Sequence, residues 1–180
     1  ITSGESFIKF PVYDKVNDRL FYSKYLNGFH KIFFKEMASG KEEQVTFGMG
    51  DNVEFHISSD GKHLVFTSEK YTEVPNLFLL DLEKRHVKQI TNTSGGNYMA
   101  RFSPDGKSIA FSSYSKSTYK TYIRKIEDFT VFNEYDITPI EIEEEREDYA
   151  NVKFLKNVKE YKLKFYPLNA SSYITYENGI

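Results

Sequence analysis

The sequence predicts an all-β protein, a β-propeller built from four-stranded antiparallel blades. The first observation is an internal repeat, because residues 44–68 and 89–113 superpose with an offset of 45 positions. The second is that the matched positions hold apolar anchors and turn residues, as a repeated supersecondary unit requires. The third is that aromatic residues make up 17% of the chain, all of them Phe or Tyr, which favour half-buried strands. A repeat of short strands in the mid-forties is typical of propeller blades, whereas helical arrays have shorter periods.

Two turns of one type mark the two units that match best. Each has an Asp-Gly pair between alternating apolar stretches, Asp60-Gly61 in the first and Asp105-Gly106 in the second. Glycine accepts the positive φ that a tight turn needs, and the Asp side chain hydrogen-bonds the local backbone. We therefore interpret these four residues as structural turns.

Strand signals around these turns divide the chain into three full blades and a partial fourth. The third unit is expected to have its third strand at Tyr119–Ile126 and its fourth near Glu134–Thr138. A ring takes roughly four to eight blades, so we expect residues 1–180 to be one propeller domain that is part of a longer ring. A ring closed by two copies of the chain and an irregular four-bladed ring are the alternatives. The predicted blades are residues 5–46, 50–91, 95–138 and 149–180.

The turn sequences carry a family resemblance. Residues 102–111 read Phe-Ser-Pro-Asp-Gly-Lys-Ser-Ile-Ala-Phe, and residues 57–62 read Ile-Ser-Ser-Asp-Gly-Lys. These strings resemble the Ser-Pro-Asp-Gly-Lys repeat of TolB-like propellers, a WD-like repeat also found in the propeller domains of prolyl-oligopeptidase-like and tricorn-like peptidases. The resemblance implies a propeller fold, a structural role for the turns, and a bacterial envelope or periplasmic setting.

Composition and motifs argue against several classes of function. A net charge of -2 gives no field that would attract nucleic acid, and no apolar run is long enough to span a membrane. The chain has no cysteine and no Gly-x-Ser-x-Gly elbow, and its four histidines do not have metal-ligand spacing. We therefore predict no catalytic residue, no metal site and no cofactor.

One charged segment stands out between the third and fourth predicted units. Residues 141–148 hold six acidic side chains in eight positions. Such a run is expected to be a solvated loop, and the alternative is a loop that binds a basic partner or a cation.

The candidate binding residues lie on or just before the predicted first strands. In a propeller the first strand of each blade is innermost, so its residues can line the axial channel. Asn52 and Asn97 are equivalent positions in two repeats, as are His56 and Arg101. These four residues are expected either to line a channel or partner-binding surface, or to bond neighbouring blades.

The function expected from these observations is that of a non-catalytic scaffold that binds a protein or peptide partner. It depends on a blade repeat combined with an absence of catalytic motifs. The alternative is a propeller domain that controls substrate entry in a larger serine peptidase.

Overall fold

The computed structural model of the protein describes residues 7–138. Within this range the chain forms twelve strands in three antiparallel sheets and one short 3-10 helix at Ile126–Asp128. The all-β prediction is confirmed. The predicted fourth blade at 149–180 and the acidic run at 141–148 lie outside the described residues.

The first sheet is a four-stranded meander in the order β1-β2-β3-β4. A two-residue turn at Asn27-Gly28, with φ of 49° and 86°, joins its second and third strands. These positive values fit a type I′ turn, whose twist matches that of the flanking strands. The strands are β1 Ile8–Asp14, β2 Arg19–Leu26, β3 Phe29–Glu36 and β4 Glu42–Gln44.

The second and third sheets repeat this pattern up to the last strand. The second sheet has the order β12-β8-β7-β6-β5, and the third has the order β11-β10-β9. Strands β5 to β8 are Asn52–Ile57, His63–Ser68, Asn76–Asp81 and His86–Gln89. Strands β9 to β12 are Asn97–Phe102, Ser108–Ser115, Thr118–Lys125 and Asn133–Asp136.

Strand β12 corrects one expectation from the sequence. The strand expected near Glu134–Thr138 exists, but it pairs with β8 of the second sheet and not with β11. Its register sets Asp136 opposite His86 and Glu134 opposite Lys88. Opposite charges across an antiparallel pair stabilise it, and the His86 Nδ1 atom lies 2.7 Å from Asp136 Oδ1.

Apolar contacts also hold β12 on the second sheet. Ile137 is buried in the core between the first and second sheets, and Tyr135 packs against that core. The Lys70 ammonium lies 3.2 Å from the centre of the Tyr135 ring, a favourable cation–π position. The chain reaches this place through residues 129–132, which cross from the third sheet to the second.

The middle sheet is buried on both faces. Successive side chains of a strand point to opposite faces, so Leu64 and Phe66 of β6 enter one core and Val65 enters the other. The first core also takes Phe21 and Ile32 from the first sheet. The second core contains, from the third sheet, Ala100, Phe102, Ile109 and Phe111.

The first strand of each sheet has a bulge at the same position of the repeat. Phe10, Glu54 and Met99 have φ of 54°, 52° and 54°, and the strand pairing shifts register at each of them. A left-handed conformation at residues other than glycine costs roughly 1–2 kcal/mol each. The strands that have these bulges contact one another, β1 with β5 and β5 with β9.

The two Asp-Gly turns have the same hydrogen bonds. Asp60 Oδ1 accepts from Ser58 Oγ at 2.5 Å and from the Lys62 N–H at 3.0 Å. Asp105 Oδ1 accepts from Ser103 Oγ at 2.5 Å and from the Lys107 N–H at 3.0 Å. These bonds to the ionised form hold the pKa of both carboxyl groups below the usual range.

Gly61 differs from Gly106 because a neighbouring sheet packs against it. The Gly61 carbonyl accepts from Arg19 Nη2 at 3.3 Å and from Asn17 Nδ2 at 3.5 Å. Both donors also bind the buried Asp14 carboxylate. Burial alone would raise the pKa of Asp14, but the bonds from Asn17 and Arg19 lower it overall. This turn therefore joins the first and second sheets.

We predict that Gly61→Ala destabilises the protein more than Gly106→Ala. Both glycines have a left-handed φ, of 69° and 71°, so each change costs about 1 kcal/mol through the backbone. A Cβ at Gly61 would also overlap Asn17 Nδ2 and lie 3.0 Å from Asp14 Oδ1, whereas at Gly106 the nearest atom is 3.9 Å away. We expect a loss of roughly 2–3 kcal/mol for Gly61→Ala in urea unfolding. Equal losses of unfolding free energy in the two variants would contradict the contact between the Gly61 turn and the first sheet.

Candidate functional site

Asn52 and Asn97 occupy equivalent places at the start of β5 and β9. Both are buried, with 3% and 1% of their surface exposed. Asn52 Nδ2 donates to Ser68 Oγ at 2.9 Å. Asn97 Nδ2 donates to Asn76 Oδ1 at 3.0 Å and to Thr93 Oγ1 at 2.7 Å. These bonds fix the start of each inner strand to adjacent strands and loops.

The partners of these two asparagines differ in one important way. Asn76, which binds Asn97, corresponds in the repeat to Lys31, which lies beside Asn52. Asn76 Oδ1 accepts three hydrogen bonds, from Asn97 Nδ2, Thr91 Oγ1 and the Thr93 N–H. The first junction therefore has a buried ammonium where the second has a neutral amide.

Lys31 is almost fully buried, with 3% of its surface exposed. Its Nζ donates to the Gly50 carbonyl and lies 3.5 Å from Asn52 Oδ1. Burial lowers the pKa of Lys31 from 10.5 to about 8; the nearby Asp51 opposes this shift, and Lys70 adds to it. A buried lysine with few hydrogen-bond partners is a destabilising element of the junction.

His56 bonds the second sheet to the third. Its Nδ1 accepts from the Phe102 N–H at 3.2 Å, and the two rings lie 6.1 Å apart. Burial lowers the pKa of His56, and the charge of Arg101 lowers it further. Both effects favour the neutral imidazole, which is the form that can accept at Nδ1.

Arg101 is exposed on β9, and its Nη1 donates to the Ala100 carbonyl at 2.8 Å. A second bond between inner strands lies close by, where Glu54 Oε2 accepts from the Met99 N–H at 3.0 Å. The structure thus places the four residues selected from sequence on two adjacent inner strands. Three of them make bonds to neighbouring strands, and Arg101 faces solvent. Their assignment to a channel or a partner-binding surface stays a prediction.

A cleft lies between the second and third sheets, and sequence reasoning missed it. It has a volume of about 540 Å³ and is open to solvent on one side. One wall is the connection from Ile90 to Gly95, and the opposite wall is formed by β10 and β11. Phe132, from the segment that crosses between the sheets, also lines it. Strand patterns do not reveal that β12 joins β8, and the segment that leads to β12 forms part of this cleft.

Within residues 7–138, no three acidic or histidine side chains are grouped as metal ligands. None of the helices in this range is long and apolar enough to cross a membrane. Two groups with displaced pKa values near the inner strands, Lys31 and His56, are engaged in hydrogen bonds.

Comparison with known families identifies this architecture. The model of the TolB beta propeller domain matches residues 1–137. The chain belongs to this family. The predicted resemblance and the propeller fold are therefore confirmed.

Solved TolB structures share the fold. TolB from Acinetobacter baumannii is 28% identical, with a TM-score of 0.62 over 70% of this chain and 31% of that one. A putative TolB from Agrobacterium tumefaciens is 17% identical, with a TM-score of 0.61 over 74% of this chain and 51% of that one. The alignments thus span about a third and a half of these two TolB chains. No curated protein matches the sequence.

The propeller fold is not restricted to TolB proteins. The propeller domain of the Trilobed protease from Pyrococcus furiosus is 14% identical, with a TM-score of 0.55 over 75% of this chain and 44% of that one. At this identity the likeness concerns the fold alone. Function must therefore be argued from the sites.

We predict that Lys31→Asn raises stability at pH 7 and removes a pH dependence. The unfolded state binds more protons than the folded state between about pH 8 and 10.5, because the pKa of Lys31 falls to about 8 on folding. Stability of the natural protein should therefore rise with pH across this window, by up to about 3 kcal/mol from this residue.

The measurement is urea unfolding from pH 7 to 10.5. Asn at position 31 would reproduce the hydrogen-bonded amide of Asn76, so we expect a gain of about 1–2 kcal/mol at pH 7 and a flatter profile. Lys62→Gln, at an exposed position, removes the same charge and serves as the control. Identical pH profiles for the natural protein and Lys31→Asn would contradict this assignment.

Proposed function

We propose that this chain is a non-catalytic propeller scaffold that binds a protein or peptide partner through its inner strands. The observation that carries the proposal is the row of bulges at Phe10, Glu54 and Met99. Phe10 is 39% exposed and Met99 is 61% exposed, although both are apolar and lie on strands that contact a common neighbour. Exposed apolar side chains on a rigid scaffold are typical of binding surfaces.

Backbone strain supports the same surface. The three bulge residues adopt a left-handed conformation that glycine would adopt at lower cost, yet none of them is glycine. Strained positions concentrate at functional sites, and bulges redirect side chains there. In this proposal, the binding role of the side chains at these positions accounts for the strained backbone.

The residues selected from sequence take two roles in this proposal. Arg101 is exposed beside Met99 and supplies a cationic contact to the partner. Asn52, His56 and Asn97 position the strands that present these side chains, through the hydrogen bonds described above. Membership of the TolB beta propeller domain family supports a further part of the proposal, a location in the bacterial envelope or periplasm.

We predict that peptides selected on the protein depend on the inner-strand surface. The experiment selects binders from a phage-displayed library of random peptides on the immobilised natural protein and measures their affinities by fluorescence anisotropy. Met99→Asp and Arg101→Glu should each weaken binding by about tenfold or more, since the first places a charge in an apolar contact and the second reverses a contact charge.

Lys62→Gln is the control, because it alters the charge of a remote exposed turn. The proposed surface would be refuted if the selection yields no binder. It would also be refuted if the affinity of the binders is unchanged in both Met99→Asp and Arg101→Glu.

The alternative, a propeller that controls substrate entry in a larger serine peptidase, has its own test. The reading frame beyond residue 180 would then encode a Gly-x-Ser-x-Gly elbow followed by Asp and His. Its absence from the full gene would remove this alternative.

A further inference from the structure

The cleft between the second and third sheets, called here the β8–β11 cleft, has the size and lining of a binding site. Its volume of about 540 Å³ is within the range of ligand sites. Phe111, Tyr122 and Phe132 supply aromatic surface, and Lys116 and Arg124 supply positive charge. Phe111 and Tyr122 stack with ring centres 5.7 Å apart, so this aromatic surface is held in place.

Strand β11, in one wall of the cleft, has an edge that pairs with no strand among the described residues. Among residues 7–138, β11 pairs only with β10, and all eight of its residues are exposed. The Ile126 N–H donates to the Lys107 carbonyl, and backbone groups of an antiparallel pair alternate in direction. Tyr119, Thr121 and Ile123 therefore direct their N–H and C=O groups to the open edge. Such an edge is a template for one further strand.

The cleft and this edge carry positive charge that no carboxylate among the described residues neutralises, although the Arg124 guanidinium lies 5.4 Å from the centre of the Phe129 ring. Lys116, in the β10–β11 turn, and Arg124, on β11, line the cleft. Lys120 lies on the same face of β11 as Arg124, because side chains alternate along a strand. Within residues 7–138, none of the three forms an ion pair with a carboxylate. The site therefore complements a negatively charged occupant.

The turn that carries Lys116 is strained in a way that its counterpart avoids. Lys116 and Ser117 have φ of 49° and 61° in the β10–β11 turn. The equivalent turn of the first sheet uses Asn27-Gly28, the sequence that adopts this geometry most readily. The strained turn places a cation at the cleft, where the Asn-Gly turn would place none.

We propose that the β8–β11 cleft binds an extended acidic peptide, which adds to β11 as a strand. Its backbone bonds to the outward groups of β11, and its carboxylates lie on the cleft face, where they contact Lys116 and Arg124. Its alternate apolar side chains lie on the opposite face, over the exposed Tyr119 and Ile123. Strand addition of this kind obtains affinity from the main chain and specificity from alternate side chains. The inference goes beyond the proposed function, because it assigns the chain a second binding surface that is distinct from the inner strands.

The test uses the full chain and two fluorescein-labelled octapeptides, (Val-Glu)4 and (Val-Lys)4. We expect (Val-Glu)4 to bind in fluorescence anisotropy and (Val-Lys)4 to bind at least about tenfold more weakly. On binding of (Val-Glu)4, hydrogen exchange should slow at the outward amides of Tyr119, Thr121 and Ile123.

Two variants probe the two kinds of contact. Lys116→Gln combined with Arg124→Gln should weaken binding by about tenfold or more through lost charge-assisted bonds. Thr121→Pro should weaken it similarly, because it removes an outward N–H without removing a bond to β10. Lys62→Gln should change nothing, and thermal unfolding verifies that each variant is folded.

Several results would overturn the cleft assignment. Equal binding of the two peptides would do so, as would indifference to the cleft variants. Slow exchange at the outward β11 amides before any peptide is added would show an edge already covered by this chain or by a second copy. If (Val-Glu)4 responds only to Met99→Asp and Arg101→Glu, the cleft assignment fails and the proposed function stands. If inner-strand binders are absent but (Val-Glu)4 binds as expected, the proposed inner-strand surface fails and the cleft stands.

Discussion

The middle sheet of this protein depends on both neighbouring sheets to remove its two apolar faces from water. The clearest case is β6, where Leu64 and Phe66 enter one core and Val65 enters the other. Burying an apolar side chain contributes about 1.5–3 kcal/mol, so these faces dominate the stability of each junction. The repeat fits this constraint, because a sheet that lies between two others must present an apolar surface on both sides. The inner strands are brought together as a consequence.

Polar groups then fix how the sheets meet. The Arg85 guanidinium donates a hydrogen bond to Glu43 Oε1 at 3.0 Å. Arg19 of the preceding sheet donates one to the Gly61 carbonyl. Apolar contacts are not directional, whereas these bonds specify one arrangement of neighbouring strands. Lys31 shows the cost of a departure from the repeat, since it introduces a buried charge where the next junction uses the amide of Asn76.

The two surfaces with a proposed function differ in their relation to the repeat. One is the row of strained bulges, which recurs on each inner strand with a different side chain, and the other is the cleft beside the segment that leads from the third sheet to β12. The propeller fold supports proteins of many activities, so membership of the TolB beta propeller domain family sets the scaffold and not the ligand. Binding is thus to be sought where side chains differ between units, at Met99, Arg101, Lys116 and Arg124.

The sequence by itself determined the all-β class, the strands of the first three units and the Asp-Gly turns, because alternation and turn chemistry are local properties. It also selected the inner-strand positions of His56 and Arg101. Tertiary structure decided the bulges, which have Phe, Glu and Met at positions where a sequence search expects Gly, and the partner of β12. Alternation specifies which face of a strand is buried but not which strand lies beside it. That choice depended on Ile137 reaching the first core and on Asp136 meeting His86, contacts between residues far apart in the chain.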